Sequence, residues 1–295
     1  MSRGGYMTGS PGSQYLVVHA LDGFPVAVGH FRLPHSAARL VVAGATGVPQ
    51  GFYWNFADYA NRSGFDVITF DYRGVGGSAP ASLRGFDMDY RDWGRLDLAG
   101  VLEHFAGESP VHLVAHSFGG HALGLLPDPT RVLSMYALGS GSGWHGWMPR
   151  AERLRVALLW NVLGPVVVGS AGYLAWKRFG LGEDLPLGVY RQWKRWCRYP
   201  DYWFQDPDVS VEMHALFARV TAPITAVNAT DDRWSSPAAR DAFFPHYINS
   251  RRRIRDLRPN EIGRSSIGHM GYFRRGSERL WGDILDDISA AGSPR

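Results

Sequence analysis

Short β-type runs and helical patterns alternate along this 295-residue chain. QYLVVHA and PVAVGHFRL read as two strands joined by a hairpin around Asp22-Gly23. RLVVAGA, 39 to 45, is a short buried strand, and aromatics at helical spacing in 51 to 64 predict a helix stopping at Gly64. FDVITFDY, 65 to 72, is the next strand. Residues 89 to 106 carry apolar positions 93, 96, 98, 101, 102 and 105, a helical period. VHLVAH, 111 to 116, is a strand, FGGHALGLL a helix and RVLSMYAL, 131 to 138, a strand again. The grammar returns in the strand APITAVNA at 222 to 229 and a helix at 237 to 244. A polar edge strand, SRRRIRDLRP, and a closing helix at 277 to 290 follow. Such alternation predicts an α/β fold, with a mostly parallel sheet covered by helices on both faces.

Between 140 and 215 the alternation stops. Tryptophans crowd in at 144, 147, 160, 176, 193, 196 and 203, with helical stretches and few strand signals. This region predicts a helical cap inserted into a core formed by 1–139 and 216–295. The first fourteen residues read as a flexible lead-in with no apolar h-region, so no secretory signal is expected. A lone cysteine, Cys197, rules out an internal disulfide and fits a reducing, cytoplasmic setting. The net charge is +4, but the arginines are scattered apart from RRRIR at 251 to 255, and no nucleic-acid motif accompanies them. They read as a solvated face, with no nucleic-acid partner expected.

Residues 156 to 176 contain no charge and are long enough to cross a bilayer. Asn161, Pro165 and glycines 164, 169 and 172 interrupt the stretch, and basic residues flank both ends, so no positive-inside bias exists. The segment also lies between two parts of one expected sheet. Two short apolar helices broken near Gly164-Pro165 are predicted, leaving at most a peripheral membrane contact.

The stretch HLVAHSFGGHALG, 112 to 124, places Ser117 between a strand and a helix. A serine on so sharp a turn projects its hydroxyl above the sheet edge, and the turn demands small neighbours two before and two after. Ala115 stands where G-x-S-x-G has its first glycine, and Gly119 supplies the second. A serine needs a base to become a nucleophile. Where such an elbow carries chemistry, the acid and then the histidine follow in chain order. Of eleven histidines, that order leaves His246 and His269. His269 lies in the small-residue loop SSIGHMGYF and is favoured. His246, in FFPHYIN, reads as a packing residue. The acid should follow the strand at 222 to 229, where Asp231 and Asp232 are adjacent; Asp232 is preferred, with Asp231 the alternative.

An oxyanion needs two amide donors: one from Phe118, the other from AGATGVPQGFY, at Ala45 with Thr46 as alternative. DYRGVGGSAP, 71 to 80, has neither a GK[ST] ending nor GxGxxG spacing, so a phosphate loop is not expected. No His/Cys/Asp cluster has metal-ligand spacing, and neither metal nor cofactor is expected.

Four blocks, AGATGVPQGFY, FDYRGVGGS, LVAHSFGG and SIGHMGYFR, resemble the α/β-hydrolase superfamily. More narrowly, they are similar to predicted hydrolases related to the serine-aminopeptidase and lysophospholipase-like branch. RLRVALLW and GLGEDLPLGVYRQWKRWCR in the cap resemble that group too. The resemblance runs from about residue 15 onward. It implies an eight-stranded, mostly parallel sheet with a cap, a triad of Ser117, Asp232 and His269, and oxyanion donors at Ala45 and Phe118. It also implies a reaction class, serine hydrolysis of small-molecule esters through an acyl-enzyme, and not a substrate. Aromatic cap residues, with Trp144, Trp147 and Trp160 as candidate substrate contacts, point to apolar acyl or aromatic groups. The same triad would serve a thioesterase, amidase, lactonase or acyltransferase, and a non-catalytic binding protein could share the fold. Oligomeric state is left open.

Overall fold

A computed structural model describes residues 13–36, 38–105, 111–179 and 182–292. Most of the expected flexible lead-in lies outside the described residues. Eight strands form one sheet in the order β1-β2-β4-β3-β5-β6-β7-β8. They are β1 (Gln14–His19), β2 (Pro25–Phe31), β3 (Arg39–Ala43), β4 (Asp66–Phe70), β5 (Val111–His116), β6 (Ser134–Leu138), β7 (Ile224–Ala229) and β8 (Arg252–Leu257). The β1–β2 hairpin and the β2–β4 pair are antiparallel, and the remaining pairs are parallel. Strands β4 and β5 are buried along their whole length because helices cover both faces.

The period of two sorts the strand residues between two cores. Leu40, Val42, Val114 and Leu138 face α1 (Trp54–Arg62) and the closing helix α9 (Glu278–Gly292), whose Phe56, Trp281 and Ile284 fill that side. Val41, Leu113, Met135 and Ile224 face the opposite core, with Trp93, α2 (Ala99–His104) and α3 (Gly119–Leu125). The edge strand β8 exposes Arg252 and Arg253, a charged edge that discourages pairing with another sheet.

The helix expected at 89 to 106 is shorter, running over 93 to 104 with a π-wound stretch, Trp93–Leu98, before α2; residue 106 lies outside the described residues. Asp97 within it is buried and clamps Arg73 through the backbone amide and guanidinium. The glycine loop after β4 wraps a carboxylate of its own. Asp71 accepts from the Gln50 amide at 2.7 Å and the Gly77 amide at 2.9 Å, so the loop's amides are directed at the chain's own carboxyl group.

Between β6 and β7 the chain makes α4 (Arg150–Leu158), α5 (Gly164–Ala171), α6 (Leu187–Trp196) and α7 (Ser210–Ala218); α8 (Pro237–Phe243) follows β7. The break expected at Gly164-Pro165 does not occur: Arg150–Ala171 is one helix. Proline lacks an N–H and its ring crowds the carbonyl four residues back. A π-wound turn at Leu159–Leu163 relieves that conflict, so the helix passes through Pro165 without stopping.

Alanines occupy one row across the sheet: Ala43 pairs with Ala115, Ala115 with Ala137 and Ala137 with Ala226. This low row lets α3 approach closely. A Cβ on Gly119 would stand 2.0 Å from the Ala43 carbonyl oxygen. Gly119→Ala is therefore expected to lower stability by about 1–3 kcal/mol, as overpacking does. Urea denaturation checks this; an unchanged midpoint would contradict the close approach.

Candidate active site

Strand β5 delivers the chain to Ser117 at φ +53°, a left-handed conformation rare for a residue with a side chain. Ser117 donates its amide to the Leu138 carbonyl at 3.0 Å, tying the turn to the end of β6. Gly120 is required as well as Gly119, since a Cβ there would meet Ser140 Oγ at 2.3 Å. Ala115 fits because its methyl lies within the alanine row.

The Ser117 hydroxyl lies 3.1 Å from His269 Nε2, and His269 Nδ1 lies 2.9 Å from Asp232 Oδ2. With the hydroxyl donating to Nε2 and Nδ1–H donating to the carboxylate, the three groups form one continuous chain. Asp232 is fully buried; its other oxygen accepts the amides of Trp234 and Ser235, each at 2.9 Å. The Tyr272 hydroxyl donates to Oδ2 at 3.2 Å. Asp231 points elsewhere and holds the histidine loop, accepting from the Ser266 hydroxyl and the amides of Ile267 and Gly268. His246 stacks on Phe204 at 3.7 Å between ring centroids, in the packing of α7 and α8, and does not line the cavity at Ser117.

Burial alone would depress His269. The charge and hydrogen bond of Asp232 outweigh it, so the net shift is upward from the ordinary histidine value.

Sequence reasoning missed a second polar chain. The Tyr53 hydroxyl accepts the Ala45 amide at 2.7 Å and reaches His116 Nδ1 at 3.0 Å. His116 Nε2 donates to the His269 carbonyl at 2.8 Å. Burial pushes His116 down to about 3, keeping it neutral. Tyr53, His116 and His269 lie far apart in sequence, so no local pattern signals the link.

This chain bears on the two residues expected as the second oxyanion donor, Ala45 and Thr46. The Ala45 amide is already taken by Tyr53, whereas the Thr46 amide, on the same cavity wall, has no acceptor among the described residues. The Phe118 amide also has none. The Phe118 ring is stacked on Tyr90 at 4.5 Å between centroids, which fixes the residue carrying that amide.

Ser117 and His269 open into a cavity of about 400 Å³ with mainly apolar walls, including Val156, Leu159, Trp176, Leu185 and Trp193. Of the tryptophans expected as substrate contacts, Trp160 lines it; Trp144 and Trp147 do not. Trp147 donates its indole N–H to the Pro200 carbonyl at 3.2 Å, and Trp144 packs on its edge. Trp176, Trp193 and Trp234 stand in the wall instead. Aromatic density locates the region, but which ring faces inward depends on helix rotation.

Residues 40–258 match the model of the alpha/beta hydrolase family. Among solved structures, the chain is similar to a soluble variant of monoglyceride lipase from Saccharomyces cerevisiae in complex with a substrate analog. The TM-score is 0.66 at 12% identity, covering 99% of each chain. It is similar to the alpha/beta hydrolase GrgF from Penicillium, with a TM-score of 0.61 at 16% identity over 95% of this chain and 98% of that one. A third similarity is to the esterase Pf2001 of Pyrococcus furiosus, with a TM-score of 0.56 at 11% identity over 95% and 93%. No curated protein matches the sequence.

On the reading that His269 is a general base, which must be neutral to accept a proton, its raised value places the acid limb of the kcat/KM profile higher. Asp232→Asn removes the raising influence and leaves burial, which lowers. The variant is expected to lose on the order of 10⁴-fold in kcat, with its residual acid limb moved to lower pH. A pH–rate series on both proteins checks this; an unmoved limb contradicts the coupling.

Proposed function

The chain belongs to the alpha/beta hydrolase family, and on that premise we propose that it is a serine hydrolase of carboxylic esters bearing apolar acyl or aromatic groups. The observation that carries this reading is the continuous chain Ser117–His269–Asp232, at 3.1 and 2.9 Å, facing an apolar cavity. The names of two similar structures, a monoglyceride lipase and an esterase, accord with ester chemistry.

In this mechanism His269 Nε2 takes the Ser117 proton as Oγ attacks the ester carbonyl. Asp232 holds the imidazole in the required tautomer and stabilises the imidazolium. The amides of Phe118 and Thr46 receive the developing oxyanion, and the N-terminus of α3 adds its partial positive charge. Collapse expels the alcohol, protonated by His269. Water, deprotonated by the same imidazole, then releases the acid and restores Ser117. Binding comes from removing the acyl chain from water against Leu159, Trp160 and Trp193.

p-Nitrophenyl esters of two to twelve carbons test the reading. Each methylene that enters the cavity is expected to raise kcat/KM by up to about fourfold, the equivalent of ~0.8 kcal/mol, until the cavity is full. Ser117→Ala should abolish turnover at every length. Full activity in that variant, or a preference for charged acyl groups, would overturn the proposal.

A further inference from the structure

The Arg150–Ala171 helix has two unlike sides. Its inner side lines the cavity through Val156, Leu159 and Trp160. On its outer side Leu154, Leu158, Val162 and Val166 are 64%, 55%, 57% and 68% exposed. They fall four residues apart. In a regular α-helix such a row drifts about 40° per step. The wider π turn at Leu159–Leu163 takes back part of that drift and keeps the row closer to a straight ridge.

Two polar residues on this outer side bond back to the helix. Asn161 donates one amide N–H to the Ala157 carbonyl at 3.0 Å, and Ser170 its hydroxyl to the Val167 carbonyl at 2.9 Å. Cations stand at both ends. Arg150 and Arg153 are exposed at the start, and Arg84 bonds the Ser170 carbonyl at the finish. Arg155 lines the cavity and pairs with Glu152 at 3.5 Å. The only acid between residues 150 and 171, Glu152, is buried against the Trp234 indole.

We propose that this ridge docks the protein on an anionic lipid surface, the apolar row entering the interface and the arginines meeting the headgroups. The charges favour lipid over a second copy of the chain. With cations at both ends, two ridges laid together in either direction bring like charges into register. Docking does not depend on the chemistry at Ser117. Its consequence, that esters reach the cavity from the lipid layer past the inner side of the same helix, does rest on the proposed hydrolase reading.

The test is co-sedimentation with vesicles of phosphatidylcholine and phosphatidylglycerol at 3:1, and of phosphatidylcholine alone. Wild type should pellet with the anionic vesicles, less so with the neutral ones, and less as salt rises. Leu158→Glu/Val162→Glu should weaken partitioning at least tenfold, and Arg150→Glu/Arg153→Glu should weaken it on anionic vesicles. Neither pair lines the cavity, so both variants should retain wild-type circular dichroism and wild-type turnover of a soluble short-chain ester. Wild type staying in the supernatant with both vesicles overturns the proposal, as does unchanged pelleting of the Leu158/Val162 variant. A wild-type dimer that this variant converts to monomer, without vesicle binding, would assign the ridge to a second copy instead. Because pelleting requires no turnover, a failed ester assay leaves this result interpretable.

Discussion

Ser117 holds a φ of +53°, a conformation that a residue with a side chain leaves unless its surroundings fix it there. The hold is assembled from simple parts. The alanine row across β3, β5, β6 and β7 lowers the sheet surface, and Gly119 and Gly120 let α3 settle onto it. The Ser117 amide is bound to Leu138, and the Phe118 ring is wedged against Tyr90. Strain at the serine is thus offset by packing on both sides. The result is a hydroxyl beside the Phe118 amide, which has no acceptor among the described residues.

Three loops must meet above that serine, and polar groups join them. Asp231 fastens the His269 loop through the amides of Ile267 and Gly268, while Asp232 fixes the imidazole itself. His116 and Tyr53 carry the connection from the His269 carbonyl to the Ala45 amide. Because burial keeps His116 neutral, this second chain holds its donors and acceptors in one arrangement across the range where His269 titrates.

Much of the fold was legible because fully apolar strand runs and helical periods alternate, and only a two-faced parallel sheet buries both. The neighbourhood of the site was legible from chain order and from the small residues that an elbow demands. Adjacent Asp231 and Asp232 could not be separated by type, since their roles follow from opposite directions of their side chains at the end of β7. The helix through Pro165 was missed because a proline signals a break, and the π turn that accommodates it has no sequence mark of its own. The wall tryptophans were misassigned in part for a related reason: density of rings does not give the rotation of the helices that carry them. The Tyr53–His116 link needs contacts across 63 residues of sequence, beyond any local pattern.

The central claim is that Ser117 is the activated nucleophile. The most direct measurement treats the folded protein with a fluorophosphonate and locates the adduct by peptide mass spectrometry. A single stoichiometric phosphonyl group on Ser117, with none on heat-unfolded protein, is the predicted result. Folded protein that stays unlabelled, or labelling at another residue, would contradict the account.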